Sequence, residues 1–248
     1  MSRKLDELMK LAGRDTQWEQ EVFRELLKSV VFAHVPATDR LSDGRVRFIQ
    51  FHRPESGELV LPFFSDKHKA LAATGTTVKI VSFTGRLLME LTRGATLMLN
   101  PNDMSCVLYP EEVDAVLEGR PLGQTERFSV TEDSPCTVTG PTEDPPDWMR
   151  DAFMATLRTL SYIARAYWVE VHRGPGAPSH KHYLVVVGVT EGAGNRAMHA
   201  LTLVMQPLCR AHGDTALDLG FFDEPGPMPS WIESLSIAPF YDIRSDWC

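Results

Sequence analysis

The chain has no uninterrupted apolar stretch near the roughly 20 residues that a helical membrane span needs, so a membrane is not an expected partner. It has no basic excess either. Lys and Arg number 25 against 33 Asp and Glu, for a net charge of -8. A general nucleic-acid binder needs a cationic surface to meet phosphates, so nucleic acid is not expected. The first residues, "MSRKLDELMKLAGRD", mix charges into the opening turns and lack the apolar centre of a signal peptide. Cysteine is sparse, with Cys106, Cys136, Cys209 and Cys248 widely scattered. Reduced thiols in a cytoplasmic protein are the expectation.

Catalytic motifs are missing as well. No GxSxG elbow occurs. "TEGAGNRA" (Thr190 to Ala197) leads from a strand towards a helix, but it is neither GxGxxG nor a P-loop and reads as a turn. Neighbouring acids at Glu111/Glu112, Asp144/Asp147 and Asp223/Glu224 fall at helix starts or in linkers, where solvation is expected. The candidate metal ligands are His180 and His182 in "HKH", with Cys209 and His212 three apart near a helix end. No CxxC pair accompanies them. No metal and no cofactor is expected.

What is present is a globular composition, 43% apolar over 248 residues. Leu5, Leu8 and Met9 recur at helical spacing. Thr16 and Glu19 match a capping box ahead of a stripe of Trp18, Val22, Phe23, Leu26 and Leu27. Strands are expected at Val30 to Val35, Val46 to His52 and Glu58 to Phe64, joined by Asp-Gly and Ser-Gly turns. Pro62 marks the third as an edge or a bulge. Ser65 is the expected cap of a short helix that Gly75 stops. "TVKIVSF" reads as a strand. "TGRLLMEL" reads as a helix with Leu87, Leu88 and Leu91 on its inner side and Gly94 ending it. "ATLML" and "MSCVLY" are strands, and Pro110 opens the helix "PEEVDAVLEG".

From Gly119 to Asp147 the chain turns rich in Pro, Gly, Thr and acids, although "RFSVTE" has strand character. A strong helix follows, with Trp148, Phe153, Leu157, Leu160 and Ile163 at buried spacing. Next come the strands "ARAYWVEVH" and "HYLVVVGV", the second expected to be central. A helix with Met198, Leu201, Met205 and Leu208 inward is kinked or shortened by Pro207. "TALDLGFF" is another strand. The expected architecture is α/β (α+β), with two small mixed-sheet domains in tandem and the N-terminal helices packed on the first. Residues 1–122 and 147–248 form the domains, and 123–146 the linker.

"TLMLNPND" is read as a strand ending in a turn. Pro101 cannot donate to a ladder and pushes Asn100 into an extended conformation, while Asn100, Asn102 and Asp103 bond the turning backbone. Phe221, Phe222, Trp231, Phe240 and Tyr241 make a tail too apolar for a free linker. It wraps the second core or offers a binding surface.

"ELVLPFFSDKHKALAA", "TLMLNPND" and "LYPEEVDAVLEG" together resemble the N-terminal domain of the SseB family, the enhanced serine sensitivity proteins. "ARAYWVEV", "HYLVVVGV" and "APFYD" resemble that family's C-terminal domain, so the likeness covers roughly residues 45–242. Where the family often has Gly after Asn-Pro, this chain has Asn102, which the comparison assigns to the positive-φ turn position. The resemblance implies a bacterial cytoplasmic protein linked to a serine growth phenotype. A non-catalytic interaction or regulatory module with a protein partner fits the missing catalytic motifs. The alternatives are an enzyme or accessory factor of amino-acid or sulfur metabolism with an inter-domain pocket, and a secretion-associated adaptor or chaperone.

Overall fold

The computed structural model describes residues 3–37, 46–54, 56–74, 78–103, 105–125, 136–173, 182–213 and 215–244. The chain divides into Met1–Leu122 and Gly123–Cys248. Each unit carries its own mixed sheet, which makes the fold α+β. The turn at 40–45, Gly75, "RFSVTE" and His180 lie outside the described residues.

In the first unit α1 (Arg3–Ala12) and α2 (Glu19–Lys28) precede β1 (Val30–Pro36). Then follow β2 (Phe51–His52), β3 (Leu59–Phe64), α3 (Lys67–Ala72), β4 (Val78–Thr84) and α4 (Gly85–Leu91). β5 (Leu97–Leu99), β6 (Cys106–Leu108) and α5 (Pro110–Glu118) complete it. The sheet order is β4-β1-β3-β5-β6, with β2 also on β3. Leu5, Leu8 and Met9 of α1 join Val22 and Leu26 of α2 in one core with Leu61, Phe63, Leu97 and Leu99 of the sheet. Since alternate strand residues face opposite sides, Val60 and Phe64 are buried on the other face. There His34 bonds the Ala70 carbonyl of α3 through Nε2 at 2.9 Å.

Several local expectations are corrected. The Thr16 capping box does not form, because the Asp15 carboxylate accepts from the Gln17 N–H at 3.0 Å and starts a 3-10 turn, Thr16–Trp18. Val46 to Gln50 is not strand; only Phe51–His52 pairs. Asp66 caps α3 in place of Ser65, accepting from His68 N–H at 2.6 Å.

Pro62 is no edge marker, since β3 is interior. The Phe32↔Phe64 and Ala33↔Phe63 register stops short of Pro62, and β2 takes over at Val60 and Leu59. Continuing that register would set Pro62 opposite His34. Pro62 has no N–H to give, and the His34 carbonyl accepts from Ile49 N–H at 2.9 Å instead. Proline thus stands where the strand changes partners.

α4 turns a different face inward from the one its leucines suggest. Gly85, Leu88 and Met89 are buried, whereas Leu87 and Leu91 are 44% and 51% exposed. The cause is close approach to α2. A Cβ on Gly85 would lie 2.0 Å from the Leu26 carbonyl oxygen, so only glycine admits the contact and it fixes the helix rotation. α5 follows its sequence signals, with Pro110 at its first turn and Gly119 at φ +75° closing it. Glu112 is not solvated. It is buried and accepts from the Tyr109 N–H at 2.9 Å, satisfying a donor that the helix start leaves open.

In the second unit β7 (Cys136–Thr139) pairs with β8, so the segment expected as linker contributes to the sheet. α6 (Asp147–Leu157), β8 (Ile163–Arg173), β9 (His182–Thr190), α7 (Gly194–Ala211) and β10 (Leu217–Glu224) follow, then α8 (Ser230–Leu235) and β11 (Tyr241–Asp242). The order is β10-β9-β8-β11, with β9 and β10 parallel across α7. Ala166, Trp168, Val185 and Val187 face α6 and α7, while Tyr167, Val169 and Val186 face α8.

α6 ends at Leu157, where Thr159 and Leu160 donate to carbonyls three residues back and tighten the last turn. Ile163 is therefore the first residue of β8, and Met149 joins Phe153 and Leu157 on the buried face. α7 runs unbroken through exposed Pro207, held by burial of Met205 before it and Cys209 after it. Its inner face is Ala197, Ala200, Leu201, Leu203, Met205 and Cys209, with Met198 and Leu208 only half-buried.

Candidate functional site

The Asn-Pro turn is a structural latch. Asn100 is not extended: its φ is +48° and it is 1% exposed. Asparagine tolerates this left-handed region better than most residues, and its bonds hold it there. Its N–H donates to Phe63 O at 2.9 Å, and its carbonyl accepts from Asp103 N–H at 3.0 Å. Its Oδ1 accepts from Ser65 N–H at 3.0 Å, and its Nδ2 donates to Ser65 Oγ at 3.1 Å. Asn102, the expected positive-φ residue, is exposed and does not have positive φ. Pro101 is half-buried beside it.

The latch joins the carboxyl ends of parallel β3 and β5 and extends to α1. Ser65 Oγ donates to Asp6 Oδ1 at 3.2 Å. Lys69 Nζ lies 3.5 Å from Asp6 Oδ1 and 3.0 Å from Asp103 Oδ2. Burial pulls the Lys69 pKa down, but the bonds and charges of Asp103 and Asp6 outweigh it and leave the pKa raised. These bonds and ion pairs fasten α1, α3 and the ends of β3 and β5 together.

The tail aromatics are packed into the second unit. Tyr241 is buried and donates through Oη to Leu157 O at 3.3 Å, and Phe240 stacks on Trp168 at 4.7 Å. Phe222 is buried beside Tyr167, and Phe221 is half-buried against the core. Only Trp231 of the five is strongly exposed, at 40%. The five do not share one exposed surface: β10 and β11 carry three of them as strand residues, and Phe240 covers Trp168 of the core.

Among the described residues no three His, Cys, Asp or Glu side chains gather as a metal set. His182 begins β9 opposite Val171, but its side chain is outside the described atoms, as is all of His180. Cys209 is buried, which pushes its thiol pKa up. His212 stacks on Trp148 at 4.2 Å between centroids, and its Nδ1 lies 2.9 Å from Leu208 O. Cys106 is half-buried in β6. Burial first, then the neighbouring Glu112 and Glu19, push its pKa up to about 12. Neither thiol is a ready nucleophile, because the thiolate is the reactive form.

A concave feature of the second unit is a cavity of about 330 Å³ between α7 and the edge strand β10. Met198, Thr202, Met205, Gln206, Cys209 and Arg210 line one wall. Their spacing places them on one face of α7. Leu217, Asp218 and Leu219 line the opposite wall. Three successive strand residues alternate between faces, so a cavity touching all three lies along the edge of β10. Gln124, Thr125 and Thr215 complete it.

Gln206 reads the backbone of the entering chain: its Oε1 accepts from Gln124 N–H at 3.0 Å, and its Nε2 donates to Gln124 O at 3.2 Å. Gly123 permits this, since a Cβ there would lie 2.5 Å from Thr202 Cγ2. The cavity combines a Met and Leu floor with Thr, Gln, Arg and Asp groups, which suits hydrogen bonding and apolar contact. Of its residues, sequence reasoning had singled out Met198, Met205 and Cys209, for other roles. The remainder carry no local signal, because helix and strand come together only across the β9–α7–β10 crossover.

Residues 5–115 match the SseB protein N-terminal domain. Two relatives, Protein SseB of Escherichia coli (strain K12) and Protein SseB of Shigella flexneri, are each 25% identical over 256 residues. The alignment covers 97% of this chain and 92% of each relative. No solved structure matches the chain.

Proposed function

We propose, from the premise that this chain belongs to the SseB family of bacterial proteins, that it is a non-catalytic protein-interaction module acting through the groove between α7 and β10. The observation that carries this reading is the groove itself. It pairs apolar floor residues with the backbone-reading amide of Gln206, and its described lining residues include no nucleophile-base pair. The free thiols Cys106 and Cys209 favour a cytoplasmic setting, where the module acts in regulation tied to serine sensitivity. The cavity volume also lies within the range of small-molecule sites. That supports the second reading, an enzyme or accessory factor of amino-acid metabolism.

A photo-crosslinking amino acid at Thr215, compared with one at exposed Arg93, separates the two. Illumination in bacterial cells is expected to give a discrete protein adduct at Thr215 and none at Arg93. A small molecule retained through purification and seen by native mass spectrometry, with no protein adduct, would transfer the assignment to the second reading.

A further inference from the structure

β10 is a sheet edge, and the direction of each of its backbone groups follows from one hydrogen bond. Tyr183 N–H donates to Ala216 O at 3.2 Å, and the parallel register sets Leu217 against Tyr183. In a parallel ladder the residues flanking the partner bond inward. Ala216 O and the groups of Asp218, Gly220 and Phe222 therefore face β9. Leu217, Leu219 and Phe221 turn their N–H and C=O groups the other way. Among the described residues no strand pairs with β10 on that side. The cavity runs along this row at Leu217 to Leu219.

The other wall is already adapted to polypeptide. The Gln206 amide holds both backbone groups of Gln124, and Gly123 lies against Thr202 without room for a Cβ. From Met198 to Arg210 the wall spans about 18 Å at 1.5 Å per residue. That is the length of about five extended residues. Half-buried Met198, with a flexible unbranched side chain, lines this wall beside buried Met205.

Resting on the interaction reading above, we infer that the occupant of the groove is an extended segment of a partner protein, about five residues long, which adds to β10 as a further strand. Its backbone pairs with the outward N–H and C=O groups of Leu217, Leu219 and Phe221. Its alternate apolar side chains enter between Met198 and Met205. Main-chain pairing supplies affinity and the alternating contacts supply selectivity, as in other strand-addition complexes.

The test uses the full chain and a displayed library of eight-residue peptides with apolar residues at alternate positions. For a selected peptide, amide exchange is read residue by residue by NMR. The expected result is an alternating signature. Exchange at Leu217, Leu219 and Phe221 slows at least tenfold on binding, while Asp218 and Gly220, already bonded to β9, change little.

Replacing the Leu219 N–H by an ester oxygen, through the α-hydroxy analogue of leucine, keeps the side chain and removes one outward donor. It is expected to weaken binding about fivefold, the scale of one net hydrogen bond. The same change at Gly94, in the first unit and in open space, should leave binding unaltered. Uniform protection along β10, or affinity indifferent to the Leu219 ester, would overturn strand addition. So would failure to select any peptide, or self-association of the chain through this edge. If a Thr215 protein adduct persists in the Leu219 ester variant at full yield, the interaction reading stands and strand addition falls. If no adduct forms at all, the interaction reading itself falls.

Discussion

Asn100→Ala isolates the latch at the end of β5. The substitution removes the Nδ2–Ser65 Oγ bond at 3.1 Å and the acceptor 3.0 Å from Ser65 N–H. Ser65 is 3% exposed, so its amide would be left without water or partner. The lost bond costs about 1 kcal/mol and the stranded donor about 2 kcal/mol. Alanine at φ +48° adds about 1 kcal/mol for the left-handed conformation. The total is about 4 kcal/mol, close to a thousandfold in the opening equilibrium.

Asn100→Gly loses the same bonds but not the backbone term, so it should be about 1 kcal/mol less damaging. Asn102→Gly, at an exposed residue, should stay within about 0.5 kcal/mol. The assay is native-state hydrogen exchange, which reads β3 and β5 separately from the second unit. The reasoning is refuted if Asn100→Ala accelerates exchange in β3 by less than tenfold. It is equally refuted if Asn100→Gly is worse than Asn100→Ala, or if the second unit loosens as much as the first.

Gly85→Ala should destabilise the first unit by at least about 3 kcal/mol, because its Cβ would meet the Leu26 carbonyl oxygen at 2.0 Å. Gly94→Ala, at φ +84° in open space, should cost only about 1 kcal/mol; equal melting shifts would refute the α2–α4 contact. Cys106, with its pKa pushed up to about 12, should resist iodoacetamide at pH 8 in the native protein and react after denaturation. Peptide mapping that found rapid native labelling would contradict the raised thiol pKa. The folded pKa of Lys69 is raised above its ordinary 10.5. Its contribution to stability is therefore fully present below pH 10.5 and is lost as pH rises through the folded value. Exchange protection of β3 should fall over that range more steeply in the wild type than in Lys69→Met. Parallel curves would remove Lys69 from the latch.

Much of the architecture was legible in the sequence, because it rests on local periodicity. The alternation of "ARAYWVEV" sends Ala166 and Trp168 to one core and Tyr167 and Val169 to the other. Leu5, Leu8 and Met9 mark a buried helical face. Pro110 and Gly119 bracket α5 as capping chemistry requires. What failed depended on a neighbour distant in the chain. Pro62 lies inside a sheet because Ile49 supplies the donor it lacks. Leu87 and Leu91 face outward because Gly85 must meet Leu26. Positive φ falls on Asn100 rather than Asn102 because Ser65, 35 residues away, needs its side chain.

The groove belongs to the same class. Gln206 finds Gln124 across 82 residues, and no local pattern records that. Sequence determines which face of an element is apolar, since that is a matter of spacing. Only tertiary structure decides which polar groups meet, because hydrogen bonds depend on distances of about 3 Å between residues that chain order leaves far apart.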